Sequence, residues 1–168
     1  MVARDGEIKM TRWMQWVAVA LVAGSASVAM AAGGSGGGGG GGADGNGRHD
    51  AAYDAGVKAV ERQDWTGAIR EFKTSLAWDR FNADAHNWLG YAYRNAGDLT
   101  RAFAEYEEAL KLDPKHKGAH EYVGEAYVIA RNIPKAEEHL AALEKLCGRS
   151  CPEYKDLNET IRKAKTGG

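Results

Sequence analysis

Small and bulky residues follow a pattern along this chain that repeats every 34 residues. Glycine and alanine show it most clearly, at Gly56, Gly90 and Gly124 and at Ala68, Ala102 and Ala136. Larger apolar residues keep the same step at Trp65, Leu99 and Ile133. A fixed period of this length is typical of proteins that stack copies of one supersecondary unit. The pattern therefore predicts three units, over residues 49–82, 83–116 and 117–150.

The middle unit indicates how each copy folds. Ala85, Leu89 and Tyr93 are four residues apart, which places them on one face of a helix. Residues 95–98 are Asn, Ala, Gly and Asp, and they interrupt this pattern with turn-forming side chains. Apolar residues at spacings of three and four then predict a second helix from about Leu99 to Leu112. Each unit is therefore expected to be a pair of antiparallel helices.

Small residues at Gly90 and Ala102 allow the two helices of this unit to approach closely. The full pattern of the unit is Leu89-Gly90-x-x-Tyr93, Gly97-Asp98 and Ala102-x-x-x-Tyr106-x-x-Ala109-Leu110-x-Leu112-Asp113-Pro114. It closely resembles the tetratricopeptide repeat. The resemblance implies an all-α fold, a right-handed α-solenoid of helix-turn-helix units. The first and third units keep fewer of the residues that the family prefers.

Residues 151–168 are expected to cap the array and form its tail. The last helix of a repeat array has an uncovered apolar face, which an extra amphipathic helix usually covers. An apolar stripe with helical spacing is formed by Tyr154, Leu157, Ile161 and Ala164. Charged residues fill the opposite face, at Lys155, Asp156, Glu159, Arg162 and Lys163. The sequence therefore predicts a capping helix over residues 152–165.

The first 31 residues are expected to be a signal peptide. Basic residues precede an apolar run over residues 13–32, and small residues at Ala29 and Ala31 favour cleavage after Ala31, with a second candidate after Ala29. The protein is then exported and is periplasmic or secreted. An uncleaved membrane anchor is the alternative, because the run is about as long as a membrane span. The first residue is either Met1 or Met10, since Met10 gives a cleaner basic start.

Residues 32–47 are predicted to be a disordered linker. Eleven of the residues from 33 to 47 are glycine, and such a tract has few side chains to bury against the entropic cost of ordering. The linker is either a spacer that lets the domain extend away from a membrane or low-complexity sequence without a role.

Cys147 and Cys151 are the only cysteines, and an even number in an exported protein suggests a disulfide bond. Gly148 lies between them and allows the chain to turn. The bond is expected to hold the last helix on the array. The Cys-x3-Cys spacing by itself is weak evidence for a metal site. No metal and no cofactor is expected.

The chain offers few candidates for catalysis. It has no Ser-His-Asp spacing, phosphate-binding loop or zinc-protease signature. His86 and His120 both occupy the fourth position of their units, where the resembled family often has a tryptophan, so they are expected to be packed rings. The net charge of −1 gives no reason to expect a nucleic-acid partner.

In tetratricopeptide arrays the first helix of each unit lines a concave groove. By this resemblance, the groove residues are Tyr53, Val57, Asn87, Tyr91, Arg94, Glu121 and Glu125, with Val60 and Val128 beside them. The tyrosines are expected to anchor a peptide, Asn87 to bind its backbone and Arg94 to pair with a carboxylate. Glu121 and Glu125 make one end acidic, which suits a basic or amide-rich segment.

Some members of this family hold the carboxyl terminus of heat-shock chaperones through a clamp of lysines, an arginine and asparagines. The clamp is absent from this sequence. Its positions are occupied by Tyr53, Val57, Trp88, Gly118 and Tyr122. The sequence thus gives no reason to expect a chaperone tail as the ligand.

The expected function is a non-catalytic protein-interaction module of the cell envelope that binds a peptide or helix of another protein. One alternative is a structural envelope protein that assembles with its own copies, because the incomplete first unit could expose an apolar edge. The other is a metal-binding or redox protein that uses His116, His120, Cys147 and Cys151.

Overall fold

The computed structural model describes residues 46–167, with side chains from residue 51 onward. The predicted signal peptide and residues 32–45 of the predicted linker lie outside this part of the chain. Residues 46 and 47, which were expected to belong to the linker, are already helical. None of the described helices combines the length and apolar character that crossing a bilayer requires.

The described residues form seven α-helices and no strand, which confirms the predicted all-α fold. The helices are α1 (Asn46–Glu61), α2 (Trp65–Trp78), α3 (Ala83–Asn95), α4 (Leu99–Leu112), α5 (Lys117–Ile129), α6 (Ile133–Cys147) and α7 (Pro152–Thr166). Helix α4 has the bounds expected for the second helix of the middle unit. Each of the three units contributes two helices, and α7 follows them.

Polar side chains mark the start of five consecutive helices. The capping residues are Asp64, Asn82, Asp98, His116 and Asn132. Each accepts a hydrogen bond from the backbone N–H three residues later, as when Gly67 donates to Asp64 at 2.9 Å. This bond satisfies one of the backbone donors that a helix start leaves without a partner. The caps therefore fix where α2, α3, α4, α5 and α6 begin.

Glycines at the 34-residue step create the notches into which large side chains pack. A Cβ at Gly56 would lie 2.7 Å from the ring of Phe72, and one at Gly90 would lie 2.7 Å from the ring of Tyr106. Both rings are fully buried. The first helix of a unit can approach the second this closely only because these positions have no side chain.

The odd-numbered helices form the inner side of the array. Each helix packs against the next along the chain, and in addition α1 contacts α3, α3 contacts α5, and α5 contacts α7. Within the described part of the chain, α2, α4 and α6 make no such contacts with one another. Helices nearer the centre of a curved stack are closer together, so the odd-numbered helices lie on its concave side. We call the surface of α1, α3, α5 and α7 the inner face.

Helix α7 covers the apolar end of the array, as the sequence predicts. Leu157 and Ile161 are buried against Ala136 and Leu143 of α6, with Tyr154 packed beside them. Ala164 was expected to extend this stripe, but it is exposed. The buried stripe of α7 therefore ends at Ile161.

Candidate functional site

Aromatic rings from three successive units meet around Tyr91: three of them lie on the inner helices α3 and α5, and Trp65 reaches Tyr91 from the start of α2. The ring centroid of Tyr91 lies 5.6 Å from that of Trp88, 4.9 Å from that of Tyr122 and 6.0 Å from that of Trp65. Trp88 and Tyr122 are 6.2 Å apart. These separations lie in the range over which aromatic rings attract each other. We call Trp65, Trp88, Tyr91 and Tyr122 the aromatic cluster; all four are half-buried, with Tyr91 at the centre.

Arg94 of α3 contacts two rings of this cluster and also binds Glu125 of α5. Its guanidinium carbon lies 5.0 Å from the ring centroid of Tyr91 and 5.5 Å from that of Tyr122, within the range of cation–π attraction. It also donates to the Tyr122 carbonyl oxygen at 3.2 Å and to Glu125 at 2.5 Å. The side chain is only 9% exposed. Arg94 was expected to pair with the carboxylate of a ligand, but Glu125 of the same chain already supplies one.

Carboxyl groups of α5 and α7 gather at one end of the inner face. Burial raises the pKa of Glu121 to about 9, and the negative charges of Glu125, Asp156 and Glu153 add to this shift. Glu121 is therefore protonated and neutral at pH 7. Lys117 lies 3.6 Å from Glu153 and compensates part of the remaining charge.

The acidic end thus differs from the one expected from Glu121 and Glu125. Glu121 is uncharged at neutral pH, and Glu125 is paired with Arg94. The negative charge lies instead on α7, at Glu153 and Asp156. Asp156 is exposed, as expected for the polar face of the capping helix, whereas Glu153 is half-buried and was not among the expected groove residues.

The other predicted groove residues vary in their exposure. Tyr53 is half-buried, with its ring centroid 5.7 Å from that of Phe72, and burial raises its pKa to about 12. Val57 is also half-buried. Asn87 is only 4% exposed, so it is not a surface group that a peptide backbone can reach directly. Its Oδ1 atom is buried without a hydrogen-bond partner in the described structure.

Histidines at equivalent positions pair across the two helices of a unit. Nδ1 of His86 lies 2.7 Å from Oε2 of Glu105 in the second unit. In the third unit, Nδ1 of His120 lies 3.0 Å from Nδ1 of His139. The expectation of packed rings at His86 and His120 holds, since both are half-buried. The 34-residue step from Glu105 to His139 could have revealed the second pair.

The structure does not bring together the residues of the metal or redox alternative. His116 caps α5 through its Nδ1 atom, and its Nε2 atom lies 2.9 Å from Asp84, not beside His120. Cys147 and Cys151 are joined by a disulfide bond, with their Cα atoms 5.9 Å apart. With Glu153 they are the one group of three metal-type ligands in the described part of the chain. The bonded sulfurs offer no thiolate to a metal in this state.

The fold and the inner face define a class of protein built from helix-pair repeats around a shared concave surface. The sequence pattern of the tetratricopeptide repeat family matches residues 53–117 and 101–152. Because these residues make up more than half of the chain, the protein belongs to the tetratricopeptide repeat family. Tetratricopeptide folds are protein–protein interaction modules. No curated protein matches the chain by sequence.

Solved tetratricopeptide structures superpose on most of the chain. The TPR2B domain of yeast Sti1, in a pHsp70 complex, has a TM-score of 0.65 and 17% identity, covering 72% of this chain and 98% of that one. The Sgt2 TPR domain from Aspergillus fumigatus has a TM-score of 0.63 and 23% identity, covering 71% and 80%. The Yersinia enterocolitica type III secretion chaperone SycD, in complex with a YopD peptide, has a TM-score of 0.61 and 16% identity, covering 70% and 92%. At these identities the likeness shows the fold alone.

Proposed function

We propose that this protein is a non-catalytic adaptor that holds a segment of another protein on its inner face. The observation that carries the proposal is the aromatic cluster, in which Trp88, Tyr91 and Tyr122 lie on the converging helices α3 and α5 and Trp65 joins them from the start of α2. Aromatic rings provide large contact areas at a small entropic cost, and they dominate many interfaces. The matched structures of Sti1 and SycD, which contain an Hsp70 and a YopD ligand respectively, support a peptide as the kind of partner.

The chemistry of the inner face favours a particular kind of segment. Arg94 is neutralised by Glu125, so the middle of the face offers aromatic surface and a cation that is already paired. The end beside α7 carries the charges of Glu153 and Asp156. A segment with apolar or amide side chains over the aromatic cluster and a basic residue toward α7 is therefore complementary. An acidic chaperone tail is not, because the clamp positions carry no lysine.

We place this activity in the cell envelope. The basic and apolar composition of residues 1–31 supports export, and the disulfide between Cys147 and Cys151 suits an oxidising compartment. An uncleaved first segment would instead anchor the protein to the membrane. Mass spectrometry of the protein from the native envelope distinguishes these cases: a chain that begins at Ala32 supports cleavage, and one that retains residues 13–31 supports the anchor.

The double variant Tyr91→Ala with Arg94→Ala tests the inner face. Both changes remove inner-face contacts, so capture of partners from the native cell envelope should fall strongly while circular dichroism still shows a helical protein. Arg70→Ala on the outer helix α2 is the matched control, because that side chain is 70% exposed and pairs with its neighbour Glu71 on the same helix. Peptide mapping of the captured proteins then identifies the bound segment. Undiminished capture by the double variant would assign binding to another surface.

Self-association is a second candidate function, and exposed aromatic residues favour it. Trp78 is 53% exposed and Phe81 is 63% exposed, and both lie where α2 leads to α3. Exposed apolar patches often mark contact sites. Sedimentation equilibrium of the purified chain should then show oligomers that Trp78→Ser with Phe81→Ser dissociates. A monomer at high micromolar concentration would rule this candidate out.

A further inference from the structure

His120 on α5 and His139 on α6 face each other with their Nδ1 atoms 3.0 Å apart. Their ring centroids are 5.2 Å apart, and both side chains are half-buried. Imidazole nitrogens are among the commonest metal ligands in proteins. We propose that this histidine pair binds one divalent copper ion, a function separate from partner binding on the inner face.

The first ligand is held in the tautomer that metal binding needs. Nε2 of His120 lies 3.1 Å from the carbonyl oxygen of Pro114. A carbonyl oxygen only accepts hydrogen bonds, so Nε2 carries the proton and Nδ1 keeps its lone pair. That lone pair faces His139. A hydrogen bond from the remote ring nitrogen to a carbonyl is the usual support for a metal-bound histidine.

The second ligand is held by aromatic packing. The ring of His139 stacks on that of Tyr127, with centroids 5.7 Å apart and an angle of 18° between the planes. Tyr127 in turn packs on Phe103 at 4.6 Å. Burial lowers the pKa of His139 to about 4, His120 and Lys135 add to this shift, and Glu138 opposes it.

The two nitrogens are close enough to bind one ion together. Two ligands at about 2.0–2.1 Å from one ion are about 2.8–3.0 Å apart at a right angle and about 3.3–3.4 Å apart at the tetrahedral angle. The nitrogens lie 3.0 Å apart when they share a hydrogen bond, so they reach either separation through a shift of about 0.4 Å at most. Square-planar and tetragonal sites are typical of Cu²⁺, which also binds nitrogen ligands most strongly among divalent first-row ions.

Binding requires no net loss of protons. Without metal, Nδ1–H of His139 donates to Nδ1 of His120. On binding, the ion coordinates both Nδ1 atoms from beside the line that joins them, and the proton of His139 moves to its Nε2 atom. Each ring then carries its proton on Nε2, and solvent supplies the remaining ligands. The ion would then link α5 to α6.

The second unit provides an internal comparison. His86 occupies the position of His120 there, and its Nε2 atom likewise lies 3.1 Å from a carbonyl oxygen, that of Arg80. Glu105 stands in the place of His139 and forms an ion pair with His86. The same fold therefore accepts either a carboxylate or an imidazole at this position. This equivalence allows substitutions that change the ligand without changing the architecture.

The test is titration of the full chain with Cu²⁺ at pH 7.5, followed by calorimetry and electron paramagnetic resonance. The wild-type chain should bind an equivalent of Cu²⁺ with two imidazole nitrogens. His139→Glu copies the pair of the second unit and should weaken this binding by more than about tenfold, because loss of even an outer partner of a ligand costs about 10- to 100-fold. His120→Ala should have the same effect.

Two further variants make the result specific. His86→Ala should leave the bound equivalent unchanged. Glu105→His places an imidazole opposite His86 and should add a second equivalent of Cu²⁺. The proposal is overturned if His139→Glu binds Cu²⁺ as tightly as the wild type while circular dichroism shows both to be folded. A spectrum that lacks imidazole nitrogens would overturn it as well.

Discussion

His86 of α3 and Glu105 of α4 form an ion pair between the two helices of the second unit, with Nδ1 and Oε2 2.7 Å apart. Only 14% of the His86 side chain is exposed. The hydrogen bond that His86 donates to Glu105 raises the pKa of His86 above its usual 6.5, and the bond to the Arg80 carbonyl adds to the shift. This pair thus holds α3 against α4.

Glu105→Gln should destabilise the protein most in mild acid. A raised folded-state pKa contributes stability that is fully present below pH 6.5 and is lost as the pH rises through the folded pKa. At pH 6 we expect a loss of about 1 kcal/mol, the usual size of such a hydrogen bond to a charged group once solvent exposure is discounted. At pH 8.5 the loss should be smaller. Urea unfolding at both pH values measures this, and an equal loss at both would contradict it.

His139→Gln should have the opposite dependence on pH. The pKa of His139 is lowered to about 4, so the wild-type chain loses stability as the pH falls from 6.5 toward 4, where the unfolded chain takes up a proton that the folded chain does not. Glutamine does not titrate. As the pH falls from 7 to 5, the free energy of unfolding of the variant should rise relative to that of the wild type by on the order of 1 kcal/mol, a figure discounted for partial exposure. Parallel stability curves would show that His139 titrates normally.

Gly90→Ala should be destabilising although alanine favours helices. The added Cβ would lie 2.7 Å from the buried ring of Tyr106, so we expect a loss of about 1–3 kcal/mol from overpacking. Tyr106→Leu added to this variant should recover part of the loss. Gly97→Ala is the matched control: its Cβ meets nothing within 4 Å, but φ is +86°, so its cost is backbone strain. Tyr106→Leu should not rescue the control.

Leu157→Ala should weaken the capping helix. The side chain is fully buried and packs against Gly124, and truncating such a leucine costs about 2–5 kcal/mol. Asn158→Ala, at an exposed position of the same helix, should change stability by less than about 0.5 kcal/mol. Urea unfolding compares the two variants. Similar losses for both would mean that α7 contributes little to the array.

The 34-residue step predicted the helix pairs because the close approach of the two helices requires a small residue at the same position of each unit. Gly56 and Gly90 must lack side chains where a large ring from the next helix packs, and that requirement is visible in one sequence. At the end of the array, the residue that packs on the glycine comes from α7 and not from the second helix of the unit. Leu140 is the third-unit equivalent of Phe72 and Tyr106, yet Leu157 of α7 packs against Gly124 and Leu140 is only half-buried.

The inner face was predictable in position but not in charge. The repeat frame identified Tyr91 and Arg94, since both follow from the first helix of the second unit. It could not show that Arg94 binds Glu125, because that pair joins two units whose relative placement depends on packing. The burial that keeps Glu121 protonated likewise depends on α7, which belongs to no repeat.

The contact between Leu157 and Gly124 also limits how copies of this protein can assemble. In an array that continued into another copy, the space at Gly124 would be filled by a side chain of α6, and the apolar surface of α5 and α6 would be exposed to the next subunit. Here Leu157 of α7 fills that space and α7 covers this surface, so the carboxyl-terminal end does not offer an apolar surface for head-to-tail assembly. Any filament of this protein would have to be built through α1 and its neighbours, and one closed end favours a pair of molecules over a polymer.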